Sequence, residues 1–216
     1  MCEEAARGAV QPLYVSVGLA WEEAERMYVE RFLSTLGGRF DVRPLARLSI
    51  DMRDIYPAAH WAIVGRPPAY HTPDEDVYLP GRNVVLLGKA GVYCASAGIG
   101  RLVMGTLGHN PFPDATPAFR DAMADALTKG LARRLVIDAP YAQESKATVI
   151  RRGVALGLPL ELTLSCMNPV AGDETAQPAL PRHCGCCSKC RERHDAFVEA
   201  AHADPTDYAD VRYLGT

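Results

Sequence analysis

Residues 11–49, QPLYVSVGLAWEEAERMYVERFLSTLGGRFDVRPLARLS, hold the sequence patterns of a strand, a helix and a second strand in succession. Residues 11–17 are rich in apolar and β-branched side chains, which is typical of a short buried strand that ends at Gly18. Residues 21–36 have the periodicity of an amphipathic helix, and residues 41–49 predict the second strand. This succession favours parallel strands joined by a helical crossover, so we predict an α/β fold with a parallel sheet flanked by helices.

The rest of the chain continues the alternation of helix and strand patterns. Five prolines between residues 57 and 80 predict a long excursion rather than a packed element. Beyond it we predict helices at 83–97, 117–129, 145–156 and 191–203, and short strands at 99–105, 135–138 and 161–165. We assign residues 1–160 to the α/β domain and residues 161–216 to a C-terminal segment packed on the same domain.

The composition excludes several classes of protein. Of the 216 residues, 48% are hydrophobic and 23% are charged, which is typical of a globular protein with a sizeable core. The net charge of -3 argues against a nucleic-acid binder that relies on phosphate contacts. No apolar run reaches a membrane span and no signal core opens the chain, so we expect a cytoplasmic protein. We interpret the acidic helix start at residues 22–25 as a solvated face.

A cysteine cluster near the C-terminus has the spacing of a metal site. Four of the seven cysteines follow the pattern C-x17-C-x2-C-x2-C, namely Cys166, Cys184, Cys187 and Cys190. Zn²⁺ prefers a tetrahedron of soft ligands, and two cysteines separated by two residues turn back onto one ion. Because four thiolates leave no open position for water, we predict a structural zinc site rather than a catalytic one.

Other readings of the cluster stay open. Cys186 is a competing ligand with poorer geometry, and His183 and His194 lie nearby in the sequence. Free thiols, a disulfide and a redox pair are the alternatives to a metal site. Cys94 lies apart from the cluster, and we expect it to pack in the core.

Five short motifs occur in the order and at the approximate distances of one enzyme family. They are Leu79-Pro-Gly-Arg-Asn83, Phe112-Pro-Asp114 with Phe119, Ala139-Pro140, Ser145-Lys146, and Ser165-Cys166 with Cys184-Gly-Cys-Cys-Ser-Lys-Cys-Arg-Glu-Arg193 and Phe197. Each motif alone is weak, but their order is specific. Together they resemble the 7-cyano-7-deazaguanine synthase family, over a stretch from about residue 10 to about residue 200.

The resemblance implies a PP-loop ATPase with a Rossmann-like fold of the adenine nucleotide alpha hydrolase type. Such an enzyme activates a carboxylate with ATP, and ammonia then attacks it. The implied substrate is 7-carboxy-7-deazaguanine and the implied product is its nitrile, a precursor of modified tRNA bases. The resemblance also implies a structural Zn²⁺, ATP and Mg²⁺ as cofactors, no membrane or direct nucleic-acid partner, and a homodimer as a candidate assembly.

Two departures from the family pattern affect the expected activity. The ATP-gripping loop, Ser-Gly-Gly-x-Asp-Ser, is absent from this sequence, and we expect the family's first strand and part of its first helix to be missing with it. A mis-assigned start, a truncation and a decayed copy are the open explanations. The family's Gly-Gln-Arg-His pattern is replaced by Gly18-Leu-Ala-Trp21. The carboxylate that the enzyme activates, and whether this chain binds ATP, therefore stay open.

Six residues outside the cysteine cluster are candidates for the substrate and ATP site. Arg82 and Asn83 follow a Pro-Gly turn, and Lys146 stands near the start of a helix whose amides favour anions. Cations and amides of this kind stabilise phosphate groups. We predict Lys146 and Asp114 as catalytic residues, with Asp114 able to hold Mg²⁺ or a ring nitrogen donor. The predicted binding residues are Arg82, Asn83, Ser145 and Arg193.

Each candidate has a simpler alternative. Arg82 and Lys146 are alternatively surface cations, and Ser145 a helix cap. Asp114 is alternatively the N-cap of the helix from residue 117, a role for which Thr116 competes. Arg193 is alternatively a surface residue paired with a neighbouring acid. The competing functions are a zinc-knuckle module that binds nucleic acid or protein, and a truncated or inactive relative that acts on another carboxylate.

Overall fold

The computed structural model describes residues 1–108, 110–172 and 180–214, so part of the predicted segment 161–216 lies outside the described residues. The chain divides into two compact units. Unit 1 comprises Met1–Pro73 and Ile150–Thr216, and unit 2 comprises Asp74–Val149. The boundary at residue 160 that the sequence suggests stays a prediction.

Helices and strands are interleaved along the described part of the chain. In order they are α1 (Cys2–Ala5), β1 (Leu13–Ser16), α2 (Glu22–Thr35), β2 (Ala46–Ser49), α3 (Trp61–Val64), α4 (Arg82–Ala97), β3 (Arg101–Val103), α5 (Pro117–Gly130), β4 (Val136–Asp138), α6 (Lys146–Ala155) and α7 (Ser188–Glu199). None of the helices among the described residues has both the length and the apolar character that a membrane crossing needs.

Parallel strand pairs form the centre of each unit. In unit 1, β1 and β2 pair in parallel from Leu13 opposite Ala46 to Ser16 opposite Ser49, with α2 as the crossover. In unit 2, β3 and β4 pair in parallel with Leu102 opposite Ile137, and α5 makes the crossover. The predicted α/β class with parallel strands is confirmed, and the strands of the described residues form two pairs.

Local sequence signals explain where the helices of unit 2 begin and how they pack. The Thr116 side chain accepts a hydrogen bond from the amide of Phe119, and Pro117 occupies the first turn of α5. Helix α4 ends at Ala97, and the next residue, Gly98, caps it in a left-handed conformation. A Cβ at Gly91 would lie 2.7 Å from Leu127 Cδ1, so the glycine permits close packing of α4 on α5. Cys94 is buried as predicted, and burial raises the pKa of its thiol.

Two predicted elements near the C-terminus are wrong. The strand predicted at residues 161–165 is a short 3-10 turn, Leu160–Leu162, followed by irregular chain. Both the hydroxyl and the amide of Thr163 donate to the carbonyl of Leu160, and such local bonds compete with strand pairing. The closing helix begins at Ser188 rather than at residue 191, and it ends at Glu199 rather than at residue 203.

The prediction of a solvated acidic face at the start of α2 is also wrong. Glu22 is buried, and its carboxylate accepts hydrogen bonds from the Ser16 hydroxyl at 2.5 Å and from the amides of Val17 and Gly18 at 2.7 and 3.2 Å. Glu25 accepts hydrogen bonds from the Tyr14 hydroxyl and the Trp21 indole. These carboxylates satisfy polar groups at the end of β1 and the start of α2 instead of facing water.

Candidate metal centre and substrate site

The four predicted cysteines meet in unit 1. Cys166, Cys184, Cys187 and Cys190 are all buried, and their sulfur atoms all lie within 4.8 Å of one another. Four sulfurs at about 2.3 Å from one Zn²⁺ would lie about 3.8 Å apart. The Sγ atoms of Cys187 and Cys190 are 3.5 Å apart, and those of Cys184 and Cys190 are 3.9 Å apart. This arrangement of thiols therefore fits a tetrahedral zinc ion.

Backbone geometry brings these sulfurs together. Gly185 adopts a left-handed conformation with φ of +76°, which turns the chain between Cys184 and Cys187. Cys187 is the N-cap residue of α7, and Cys190 lies in the first turn of that helix. The Sγ of Cys166 accepts hydrogen bonds from the amides of Asn168 and Cys184, at 3.2 and 3.3 Å. Amides that point at a ligand sulfur are the usual outer support of a metal centre.

Hydrogen bonding among the thiols differentiates the four cysteines electrostatically. Hydrogen bonding with the thiols of Cys166, Cys184 and Cys190 lowers the pKa of Cys187. Hydrogen bonding to the neighbouring thiols raises the pKa of Cys166. Metal binding requires the thiols to release their protons, so metal affinity will increase with pH.

The alternative ligands lie outside this group of sulfur atoms. Cys186 is exposed, and its partial burial together with the neighbouring Cys184 raises the pKa of its thiol to about 11. His183 is buried, and burial lowers its pKa to about 4. Its ring packs edge-on against Tyr28 and Tyr208. The seven cysteines are all free thiols, which rules out the disulfide alternative in this structure.

Arg193 lies inside unit 1, so the alternative of a surface ion pair is wrong. It is 5% exposed, and all three guanidinium nitrogens donate hydrogen bonds. The acceptors are the Thr206 hydroxyl at 2.5 Å, the Thr163 hydroxyl at 2.9 Å and the Leu160 carbonyl at 2.9 Å. The guanidinium also lies over the ring of Phe197, 5.2 Å from its centroid. These contacts brace α7 against two neighbouring loops, and substrate binding by Arg193 stays a prediction.

Asn83 and Asp114 form a pair in unit 2. Asp114 is buried, and its carboxylate accepts hydrogen bonds from the amide and the side-chain nitrogen of Asn83, both at 3.2 Å. The side-chain nitrogen of Asn83 also contacts the carbonyl oxygen of Asp114 at 3.2 Å. Asp114 therefore supports the first turn of α4, and the alternative in which it caps α5 is wrong because Thr116 takes that role.

Arg82 is the first residue of α4 and follows Gly81, which adopts a left-handed conformation with φ of +78°. Its Nε atom is buried and has no hydrogen-bond partner among the residues that the structure describes. Buried guanidinium nitrogens are normally paired, so this donor points to a partner such as an anionic ligand.

Ser145 and Lys146 lie at the start of α6. The Ser145 hydroxyl accepts a hydrogen bond from the Thr148 amide at 3.2 Å, so its capping role is confirmed. Lys146 is half-buried in the first turn, where the helix amides favour negative charge.

Five of the predicted residues share one edge of unit 2. Helices α5 and α6 begin after the carboxyl ends of β3 and β4, and α4 runs back along the sheet before β3. The starts of all three helices therefore lie toward the carboxyl ends of the strands, where ligands bind in open α/β sheets. The residues placed there are Arg82, Asn83, Asp114, Ser145 and Lys146.

Comparison with known proteins supports the same assignment. The family described as "Queuosine biosynthesis protein QueC" matches residues 63–201. The chain belongs to this family. The range that matches the QueC family includes all four cysteines of the cluster and every candidate residue of the substrate site. Glu22, whose burial the sequence patterns did not predict, lies before this range. The sequence signal for Glu22 is its position about one helical turn after Gly18, the glycine that follows β1.

Similar proteins of the QueC family carry the name 7-cyano-7-deazaguanine synthase. The one from Methanopyrus kandleri is 34% identical over 217 residues, which cover 94% of this chain and 89% of that protein. The one from Thermoplasma volcanium is 35% identical over 61% of this chain and 53% of that protein. The one from Anaeromyxobacter dehalogenans is 36% identical over 67% of this chain and 62% of that protein. The chain thus spans less than two thirds of the latter two relatives.

Proposed function

We propose that this chain serves queuosine biosynthesis by converting 7-carboxy-7-deazaguanine and ammonia to 7-cyano-7-deazaguanine at the expense of ATP. The observation that carries the proposal is the family match over residues 63–201, which includes both the four-thiol cluster and the polar edge of unit 2. The relatives named 7-cyano-7-deazaguanine synthase support it. A cytoplasmic location belongs to the same proposal, and a homodimer stays a prediction.

The cysteine cluster supports folding in this proposal. Four thiolates would complete the coordination of Zn²⁺, so the bound ion would hold no water and would supply structural stability only. The residues that would hold the ion are Cys166, Cys184, Cys187 and Cys190, and the bound ion would tie the start of α7 to the loop after residue 162.

The polar edge of unit 2 supplies the chemistry. Carboxylate activation by ATP would place a phosphate-containing leaving group on the acid, and ammonia would displace that group to give the amide. Loss of the amide oxygen as water would then give the nitrile. Arg82 and Lys146 would stabilise the negative charge on the phosphate groups during these steps. Mg²⁺ would accompany ATP. The hydrogen bonds between Asp114 and Asn83 favour a positioning role for Asp114, in addition to the predicted metal contact.

The test is an assay for the nitrile by mass spectrometry. The zinc-loaded chain would be supplied with 7-carboxy-7-deazaguanine, ATP, Mg²⁺ and ammonium, both on its own and extended at its N-terminus by the family's first strand and Ser-Gly-Gly-x-Asp-Ser loop. Nitrile formation by the extended chain establishes the activity. Turnover of a different carboxylate only would support the proposed reaction class but contradict 7-carboxy-7-deazaguanine as the substrate. No ATP binding together with tight, strongly salt-dependent binding of single-stranded RNA would favour a zinc-knuckle binding module.

A further inference from the structure

Residues 69–72, which we call the strap, lie against residues 184–190, which we call the knuckle. The strap has no helix or strand of its own, and its amide at Thr72 donates to the Ala69 carbonyl at 3.0 Å to form a turn. Ala69 pairs with Cys187 in an isolated antiparallel bridge. The strap is therefore held by direct backbone pairing with a residue of the cysteine cluster.

Arg191 adds a second attachment between the strap and α7. Its Nη1 donates to the Tyr70 carbonyl at 2.8 Å, and its Nη2 donates to the Thr72 carbonyl at 3.2 Å. One guanidinium group thus binds two carbonyls of the same turn, a geometry that a lysine ammonium does not reproduce with equal rigidity. Arg191 directly follows Cys190, so the direction of its side chain depends on how the cluster fixes the start of α7.

Residues 207–214, which we call the tail, contact His183 and the four cysteines. The amide of His183 donates to the Asp207 carbonyl at 3.0 Å, and the amide of Ala209 donates to the His183 carbonyl at 2.8 Å. The ring of Tyr208 is buried in one cluster with the four cysteines. The tail therefore packs directly on the metal centre.

The tail also contacts the strap. The rings of Tyr70 and Tyr213 stack with centroids 4.5 Å apart, and the Tyr70 hydroxyl donates to the Tyr213 carbonyl at 3.4 Å. Tyr70 is buried, whereas its neighbour His71 is exposed. The turn that the knuckle and the tail anchor therefore exposes the imidazole of His71 to solvent. Each of the three segments touches the other two.

We propose that metal binding by the four cysteines latches the strap and the tail, with Arg191 as the positioning residue for the strap. The strap takes its attachments from Cys187, Arg191 and Tyr213, and the first two depend on the geometry of the knuckle. Since folding of a cysteine knuckle is coupled to its metal, removing the ion frees the strap and the tail in the same transition. This inference does not rest on the proposed enzyme activity.

Hydrogen exchange read by mass spectrometry tests the latch. Exchange would be measured on two samples of the full chain, one loaded with one equivalent of Zn²⁺ and one treated with a chelator under reducing conditions. We expect chelation to accelerate exchange in the knuckle, the strap and the tail together, by roughly tenfold or more. Residues 117–130, which form α5 in the other unit, serve as the internal reference and are expected to keep their protection.

Variants of Arg191 separate the latch from metal binding itself. We expect Arg191→Ala to retain one Zn²⁺ per chain and to accelerate exchange of the strap by roughly tenfold, because two hydrogen bonds are lost. Arg191→Lys is expected to behave similarly. The matched control is Lys189→Ala on the same helix, which removes an ion pair with Glu192. The proposal is overturned if chelation opens the knuckle while the strap stays protected, or if Arg191→Ala leaves strap exchange at the wild-type rate.

Discussion

The carboxylate of Glu22 accepts a hydrogen bond from the backbone amide of Val17 at 2.7 Å and so joins the first turn of α2 to the end of β1. The same carboxylate accepts hydrogen bonds from the Ser16 hydroxyl and the Gly18 amide, and Glu22 is 6% exposed. The three local donors stabilise this buried acid, because each donor offsets part of the cost of removing the charge from water.

Replacing Glu22 with Gln is expected to destabilise unit 1 by about 1–3 kcal/mol. The amide group of glutamine has one acceptor oxygen, so at least one of the donors around it would face an NH₂ group and stay buried without a partner. Urea unfolding followed by circular dichroism measures the change.

The matched control for this substitution is Glu23→Gln. Glu23 lies in the same first turn, but its side chain is exposed and it pairs with Arg26 across the helix surface. Such pairs contribute up to about 1 kcal/mol, so the control should change stability by less than the Glu22 substitution does. Equal losses for the two variants would show that the buried carboxylate does not anchor the turn.

Periodicity and spacing predicted most of the fold. Helix α2 was predicted at residues 21–36 and runs over Glu22–Thr35, and the strand-helix-strand order correctly indicated parallel pairing of β1 and β2. The cysteine spacing identified the four thiols that meet in space, because ligand spacing in a knuckle depends on local chain geometry. These features are local, and a single sequence encodes them well.

The errors arose where tertiary contacts determine the environment. The sequence of residues 161–165 resembles a strand, but the Thr163 side chain bonds to the Leu160 carbonyl and favours a turn. Acidic residues at a helix start normally face water, and nothing in the local pattern shows that Glu22 turns back onto β1. The alternative in which Arg193 is a surface cation is wrong for the same reason, because the hydroxyls of Thr163 and Thr206 accept hydrogen bonds from its buried guanidinium.

Removing one cluster thiol is expected to lower zinc content and stability. We predict that Cys187→Ser reduces bound zinc well below one equivalent and destabilises unit 1, because the hydroxyl is a poor ligand for Zn²⁺ and the site is buried. Cys186→Ser, one residue away and exposed, is the matched control and should keep both the zinc and the stability. Metal analysis and thermal unfolding measure the two quantities. Similar zinc losses in both variants would mean that the ligand set is wrong.

Arg82 is expected to contribute to anion binding rather than to stability. In a version of the chain that binds ATP, Arg82→Ala should weaken ATP binding by about tenfold to a hundredfold, the range for a lost hydrogen bond to a charged group. The unfolding transition should change little, because Nε of Arg82 has no partner among the described residues. Arg134, which is exposed and precedes β4 at the opposite edge, supplies the control Arg134→Ala. Calorimetric titration with ATP measures the affinity of each variant. An unchanged affinity in Arg82→Ala would show that Arg82 does not bind ATP.

Asp204 is expected to make stability depend on acid pH. Burial by itself raises the pKa of Asp204, but hydrogen bonds from Thr206 and Tyr208 outweigh it, so the pKa of the folded state is lowered. A carboxyl with a lowered pKa stabilises the fold above its unfolded pKa of about 3.9, and this contribution is lost as the pH falls through the folded-state value. Asp204→Asn should therefore cost about 1–2 kcal/mol at pH 7, and the cost should shrink in acid.

Urea unfolding at a series of pH values tests the dependence on Asp204. Asp195→Asn is the control, because Asp195 is an exposed residue on α7. We expect the control to follow the wild type within about 0.5 kcal/mol across the series. A difference between Asp204→Asn and the wild type that stays constant from pH 7 to strong acid would contradict the assigned role of the ionised carboxylate.

Gly185 is expected to be essential for docking of the tail. A Cβ at this position would lie 1.8 Å from the carbonyl oxygen of Asp210, so Gly185→Ala requires the tail or the knuckle to move. Gly38→Ala is a matched control, since Gly38 has a φ of +77° against +76° at Gly185 and no atom lies within 4 Å of its added Cβ. Both variants carry the left-handed strain of about 1–2 kcal/mol, and only Gly185→Ala adds the clash.

The two glycine variants therefore separate backbone strain from packing. We expect Gly185→Ala to be the less stable variant and to lose hydrogen-exchange protection over residues 207–214, while Gly38→Ala keeps that protection. Zinc content distinguishes two routes for the loss: retained zinc means that the tail alone has moved, and lost zinc means that the turn between Cys184 and Cys187 has opened. Equal stability and equal protection in the two variants would show that the close approach of Gly185 to Asp210 does not hold the tail in place.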